Sequence, residues 1–178
     1  LNDIPAALSQ LGTLTGHTAE AQRLAGTILA ELEAAHAASA ALARRPRVLL
    51  LFAPDTPITA GRNAFISEML DLAGGTNIGG DSLSDYYHVS LEWLIIQNPE
   101  LILCLFETSA QEPCTLFENQ VGWGALSAVR QRRVYTVADL SAVSRPGPRV
   151  LKGLAQLKSV LARDAQLHNH SRTNELPH

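Results

Sequence analysis

His168-Asn169-His170 is the closest pair of histidines in the chain, and metal binding or nuclease chemistry is what such a pair could support. It lies in a polar tail without supporting carboxylates, so solvated histidines are expected there. His17, His36 and His88 are scattered and form no i, i+4 ligand pair; His88, in a long polar segment, is expected at the surface. Cys104 and Cys114 are too few for a zinc cage or a disulfide scaffold. The apolar run Leu101-Ile102-Leu103-Cys104-Leu105 predicts a buried Cys104 thiol, while a Cys104–Cys114 disulfide depends on geometry and stays open. Gly74-Gly75 and Gly79-Gly80 lack the following Lys-Ser/Thr of a phosphate loop, and no Gly-x-Ser-x-Gly elbow offers a nucleophile. No catalytic constellation emerges, so neither an enzyme nor a resident metal or cofactor is expected.

The composition supports a folded domain with a core of its own. Of 178 residues, 46% are hydrophobic and 17% charged, which opposes disorder. A net charge of -3 gives no reason to expect nucleic acid as a partner. No apolar run approaches the ~20 residues that span a bilayer. The opening Leu1-Asn2-Asp3-Ile4-Pro5 has neither an initiator Met nor the basic region of a signal peptide, and the expectation is that it begins inside a longer chain.

The periodicity predicts the scaffold. Ile4, Leu8 and Leu11 suggest a helix over 3–11, with Gly12 and Gly16 framing a turn. A second helix is expected from Thr18 as N-cap to about Ala43, with Leu24, Ile28, Leu32, Ala35 and Leu42 as its apolar stripe and Pro46 as its stop. Val48–Phe52, Leu101–Leu105 and Arg133–Val137 read as strands, the first two as unbroken apolar runs buried on both faces. Helices are expected over Phe65–Leu72, Ser90–Gln97, Trp123–Val129 and Val150–Leu161. Ala53–Gly61, Asn77–His88, Thr108–Gln120 and Asp139–Pro148 read as loops, and Asp164–His178 as a frayed tail. Strands alternating with helices imply an α/β architecture with a mostly parallel sheet covered on both faces. Ligands of such sheets gather beyond the strand C-termini, here at Ala53–Gly61, Phe106–Gln120 and Asp139–Pro148.

Several phrases carry a family resemblance. Pro57-Ile58-Thr59-Ala60-Gly61, Leu72-Ala73-Gly74-Gly75-Thr76-Asn77-Ile78, Val89-Ser90-Leu91-Glu92, Asn98-Pro99-Glu100-Leu101-Ile102, Gly122-Trp123 with Leu126-Ser127-Ala128-Val129, and Arg145-Pro146-Gly147-Pro148-Arg149 stand in order along the chain. From about Ile4 to Leu161 the sequence resembles the C-terminal lobe of the periplasmic cobalamin-binding proteins of ABC importers, within the wider family that binds cobalamin, haem and ferric siderophores. The resemblance implies a three-layer α/β lobe over 17–163, preceded at 1–16 by the end of a long inter-lobe helix and a turn, and followed by a polar tail at 164–178. It further implies a solute-binding component, located in the periplasm or on the outer face of the membrane. Its partners would be a small metal chelate, the membrane subunits of a permease, and an N-terminal lobe missing from this chain.

Residue by residue, Glu92 matches a carboxylate that docks onto permease arginines; capping its own helix is the compatible alternative. Tyr86 stands where the family has a ligand-facing Trp, and Tyr87 could take that role if the loop shifts. A Tyr hydroxyl could also ligate haem iron, which keeps haem open as the guest. Ser141, Ala142, Val143, Ser144 and Arg145 match a ligand-contacting segment, with Ser141 and Ala142 replacing an Asp and a Trp. Ile58 replaces an aromatic wall, and Arg149 is expected to cap or pack the last helix. Ala73 and Lys158 occupy positions where a relative carries paired cysteines, so that bridge is absent. A partner-binding lobe that no longer takes solute is the remaining reading.

Overall fold

The computed structural model describes residues 1, 3–108, 112–118 and 120–173, with side chains to residue 167. Two helices open the chain, α1 (Asp3–Thr15) and α2 (Thr18–Ala40). The expected turn at Gly12 is absent. Gly12 is a buried helical residue at which a Cβ would come within 2.2 Å of the Ala21 Cβ, so its bareness lets α1 and α2 pack closely. Gly16, at φ +74, makes the actual turn. His17 rather than Thr18 occupies the cap position of α2, without a side-chain capping bond. The helix ends at Ala40, short of Ala43, and buries Ala25, Ile28, Leu32, Ala35 and Ser39; Leu24 and Leu42 are exposed.

Strand β1 (Arg47–Leu51) follows, then β2 (Ile58–Ala60), α3 (Phe65–Ala73), β3 (Thr76–Asn77) and β4 (Tyr86–His88). Next come α4 (Leu91–Gln97), β5 (Leu101–Cys104), α5 (Thr115–Glu118), a 3-10 turn (Trp123–Ala125), α6 (Ser127–Arg130) and β6 (Val134–Thr136). The chain finishes with α7 (Leu140–Ser144) and α8 (Val150–Thr173). The main sheet is wholly parallel with strand order β3-β1-β5-β6, and β2 and β4 form a separate antiparallel ribbon.

The period of two along the strands divides the core into two layers. Val48 and Leu50 of β1, with Leu101 and Leu103 of β5, pack with Ile28, Ile66, Met69 and Leu154 from α2, α3 and α8. Leu49, Leu51, Ile102 and Cys104 face the other way, onto Leu94, Phe117, Trp123 and Leu126. Helices therefore cover both faces, as the alternating pattern requires.

Four expected loops contain structure. The ribbon strands β2 and β4 lie inside Ala53–Gly61 and Asn77–His88, α5 inside Thr108–Gln120, and α7 inside Asp139–Pro148. The last helix continues past Leu161 to Thr173, because Asp164 is buried and bonded to β6. Its carboxylate accepts from Arg133 Nε at 2.9 Å and from the Tyr135 hydroxyl at 3.1 Å. The side chains of His168 and His170, and residues 174–178, lie outside the described residues. Cys104 and Cys114 are both buried and free.

Candidate ligand-facing site

Three chain segments leave the C-terminal end of the sheet side by side. Phe52 follows β1 and Phe106 follows β5, and the Leu105 amide still bonds the Leu51 carbonyl at 2.7 Å, so these two exits are neighbours. Val137 follows β6 one strand further on. Between the last two exits lies a cleft of about 1030 Å³, whose polar wall includes Glu107, Ser141, Ser144, Arg145, Lys152 and Gln156.

Helix α7 decides which of its residues reach that cleft. Asp139 caps it, accepting the Ala142 amide at 3.1 Å. The single helical turn then sends Ser141, Ser144 and Arg145 outward, while Ala142 is 1% and Val143 0% exposed. The expectation that all five residues of 141–145 face a ligand is thereby corrected. Ala142 lies against Gly153 of α8, and Val143 belongs to the core. Arg149 holds the N-cap position of α8, its carbonyl accepting the Gly153 amide at 3.1 Å, while its side chain donates to Asp139 Oδ2 at 3.3 Å and to Ser141 Oγ, bracing α7. Lys152 donates to the same carboxylate at 2.9 Å. The Lys152 hydrogen bond, aided by the Ala142 amide and the nearby charges of Lys152 and Arg149, holds the Asp139 carboxyl below its usual range. Arg145, by contrast, is exposed, and among the described residues it makes no hydrogen bond or ion pair.

The ribbon builds a second wall. Its register pairs Ile58 with His88, Thr59 with Tyr87 and Ala60 with Tyr86. Opposed residues of an antiparallel pair share a face and successive residues alternate, so Tyr86 and Ile58 lie on one face and Tyr87 on the other. Tyr86 is 46% exposed and meets Phe52 edge-on, with ring centroids 5.0 Å apart at 85°. Tyr87 turns inward, and its hydroxyl donates to the Gly79 carbonyl at 3.0 Å. Burial, reinforced by Asp85 for Tyr86 and Asp81 for Tyr87, raises both phenols above their ordinary value and keeps them protonated. Ile58 is half-buried.

Glu92 occupies the first turn of α4, capped by Ser90, whose hydroxyl accepts the Trp93 amide at 3.1 Å. Hydrogen bonds from its own backbone amide and from Ser90 depress its pKa, and its carboxylate is fully exposed. The far end of α4 is tied to the start of β1, because Arg47 donates to the Gln97 carbonyl at 2.7 Å. The first turn of α4 must then lie toward the opposite, C-terminal end of the sheet.

Tyr86, Arg145 and Glu92 thus share one end of the lobe. Tyr86 does not line the cleft that holds Arg145. It sits over the exit of β1, about 10 Å away as strand spacings count it. Sequence reasoning missed Phe52, which supports Tyr86, and Lys152 and Gln156, which reach the cleft from α8. Their i, i+4 spacing on an amphipathic helix was the available signal. Among the described residues, no three His, Cys, Asp or Glu side chains converge as a metal site, and no helix is long and apolar enough to cross a membrane.

A parallel sheet covered by helices on both faces, with aromatic and cationic side chains beyond its strand ends, is an α/β lobe of the kind found in solute-binding proteins. This chain belongs to the periplasmic binding protein family, whose sequence profile matches residues 4–139. The vitamin B12-binding protein of Pectobacterium carotovorum subsp. carotovorum is 30% identical over 162 residues, which span 90% of this chain and 55% of that protein. The chain therefore spans little more than half the length of that relative. Among solved structures, the periplasmic vitamin B12-binding protein BtuF of Vibrio cholerae matches with TM-score 0.73 and 23% identity, covering 90% of this chain and 61% of that one. S. aureus IsdE complexed with heme matches with TM-score 0.71 and 23% identity, covering 88% and 62%. These structural likenesses bear on the fold.

Proposed function

We propose that this chain is one lobe of the substrate-binding component of an ABC importer, which takes up a corrinoid or related metal chelate and delivers it to the permease. The observation carrying the reading is that the Tyr86–Phe52 aromatic edge and the unpartnered Arg145 both stand at the C-terminal end of one parallel sheet. A flat macrocycle can lie across such a surface, with an aromatic edge at one side and polar donors at the other. A second lobe, corresponding to the length of the relatives that this chain does not match, would close the opposite side. Ile58, Tyr86, Ser141, Ser144 and Arg145 would touch the guest, with Tyr87 supporting from behind. Glu92 would dock onto a basic residue of the permease, where an exposed carboxylate forms a charge-assisted pair. Binding then proceeds without chemistry, outside the cytoplasmic membrane.

Haem is the second reading, and Arg145 favours it. A corrinoid offers mainly amides at its rim, whereas haem offers two carboxylates that a guanidinium can fork. The test is an absorbance titration with cyanocobalamin, cobinamide, haemin and a ferric hydroxamate, on this chain and on one extended by the sequence encoded upstream. Binding of one of the four is expected; indifference of the extended protein to all four would overturn the reading. Glu92→Arg should then abolish transport at unchanged affinity, and a parallel loss of affinity would refute the docking role.

A further inference from the structure

We propose that Asn77 is the positioning residue of the ligand wall, holding the Tyr86 end of the β2–β4 ribbon onto the main sheet. The role rests on the solute-binding reading for its purpose, though not for its geometry. Asn77 is the last residue of β3, and its backbone is fixed to the central strand: it is the register partner of Val48, and the Ile78 amide bonds the Val48 carbonyl at 3.0 Å. From that fixed point its side chain reaches three other segments. Nδ2 donates to the Ala60 carbonyl at 2.8 Å and to Ser67 Oγ at 2.9 Å, and Oδ1 accepts the Gly79 amide at 2.9 Å. Ser67, itself buried, passes the chain on by donating to the Gly61 carbonyl at 2.7 Å.

Among the described residues the ribbon is tied down at three places: on β4 the Tyr87 hydroxyl donates to the Gly79 carbonyl at 3.0 Å, and β2 carries the other two. At its Ile58 end the Phe52 amide bonds the Ile58 carbonyl at 2.9 Å, a direct continuation of β1. At its Ala60 end the bond comes from Asn77, and Ala60 is the residue directly opposite Tyr86. The Asn77 amide thus holds β2 at the residue paired with the exposed ring, beside the Tyr87 bond that holds β4. The Ala60 carbonyl can only accept and the Gly79 amide can only donate, so the side chain must offer a donor and an acceptor in a fixed orientation, which an amide does at any pH. A carboxylate there would keep the bond from Gly79 but face the Ala60 carbonyl with an anionic oxygen.

That requirement makes Asn77→Asp the informative variant, with Ser67→Ala as a milder one. Hydrogen exchange should show the amides of 58–60 and 86–88 exchanging about tenfold faster in Asn77→Asp at neutral pH, while those of α8 keep their protection. Acidification from about pH 8 to about pH 4, the ordinary aspartate range, protonates the half-buried side chain and supplies the missing donor. Ribbon protection should then recover in Asn77→Asp, with no comparable change in the wild type. If the wild type binds haemin or cyanocobalamin, the variant's affinity should fall about tenfold and recover with the same pH dependence. Ribbon protection unchanged by the substitution, or lost without recovery in acid, would overturn the role of Asn77. An extended wild type that binds none of the four chelates would overturn the solute-binding reading, while the exchange data still decide the geometry.

Discussion

Tyr86 and Tyr87 are adjacent in the chain yet point to opposite faces of the same ribbon, one onto Phe52 and the solvent, the other onto the Gly79 carbonyl. A slip of one residue in the β2–β4 register would exchange them. The register therefore selects which aromatic ring stands exposed.

This relationship separates two substitutions. Tyr86→Ala removes the exposed ring and should weaken binding of the preferred chelate about tenfold, with little effect on stability. Tyr87→Phe removes only the hydroxyl and should cost about 1 kcal/mol of stability with a much smaller change in affinity. Calorimetric titration and urea unfolding of both variants check the pair, and equal affinity losses would contradict the alternation.

The Arg133–Asp164 pair should behave as a buried ion pair. Arg133 is 7% and Asp164 2% exposed, and the carboxylate also receives the Tyr135 hydroxyl. Asp164→Ala leaves the guanidinium with only the Glu100 carboxylate, 3.9 Å away, as counter-charge and should cost about 3 kcal/mol in urea unfolding. Replacing both residues with leucine should restore most of that loss, since desolvating the pair offsets much of its attraction.

The two cysteines predict a silent thiol assay. Burial pushes the Cys104 thiol up to about 12, and burial also raises Cys114. At about pH 8 only about one Cys104 in ten thousand is then thiolate, the form that attacks a disulfide reagent. The folded protein should show no fast-reacting thiol and release two in urea. Zero in urea would mean that the pair had oxidised.

Much of the scaffold was legible because it is written in local patterns. Val48–Leu51 and Leu101–Cys104 are apolar without interruption, which only a strand covered on both faces requires. Ser90 as a cap and Asn98 as a left-handed stop mark both ends of α4. The ribbon was not legible: each strand has three residues, and pairing partners some thirty positions apart leave no local period. Helix α7 escaped for the same reason, since one turn is too short to display a repeat, although Asp139 three residues before Ala142 is a cap signal. Asp164 read as tail because its partners, Arg133 and Tyr135, come from a distant strand. The loops that carry the site were legible from the alternation of strands and helices. Which side chains within them face outward was not, because that is set by register and by a single helical turn.

A helix of one turn resting on a core can offer its surroundings only about half of its residues. In the stretch 141–145 three residues, Ser141, Ser144 and Arg145, face the cleft, with Ala142 and Val143 committed to holding them. On the proposed reading, exchanging any of the three would alter the vocabulary of the lobe while its grammar stayed fixed, so closely related scaffolds could diverge in cargo without first relearning how to fold.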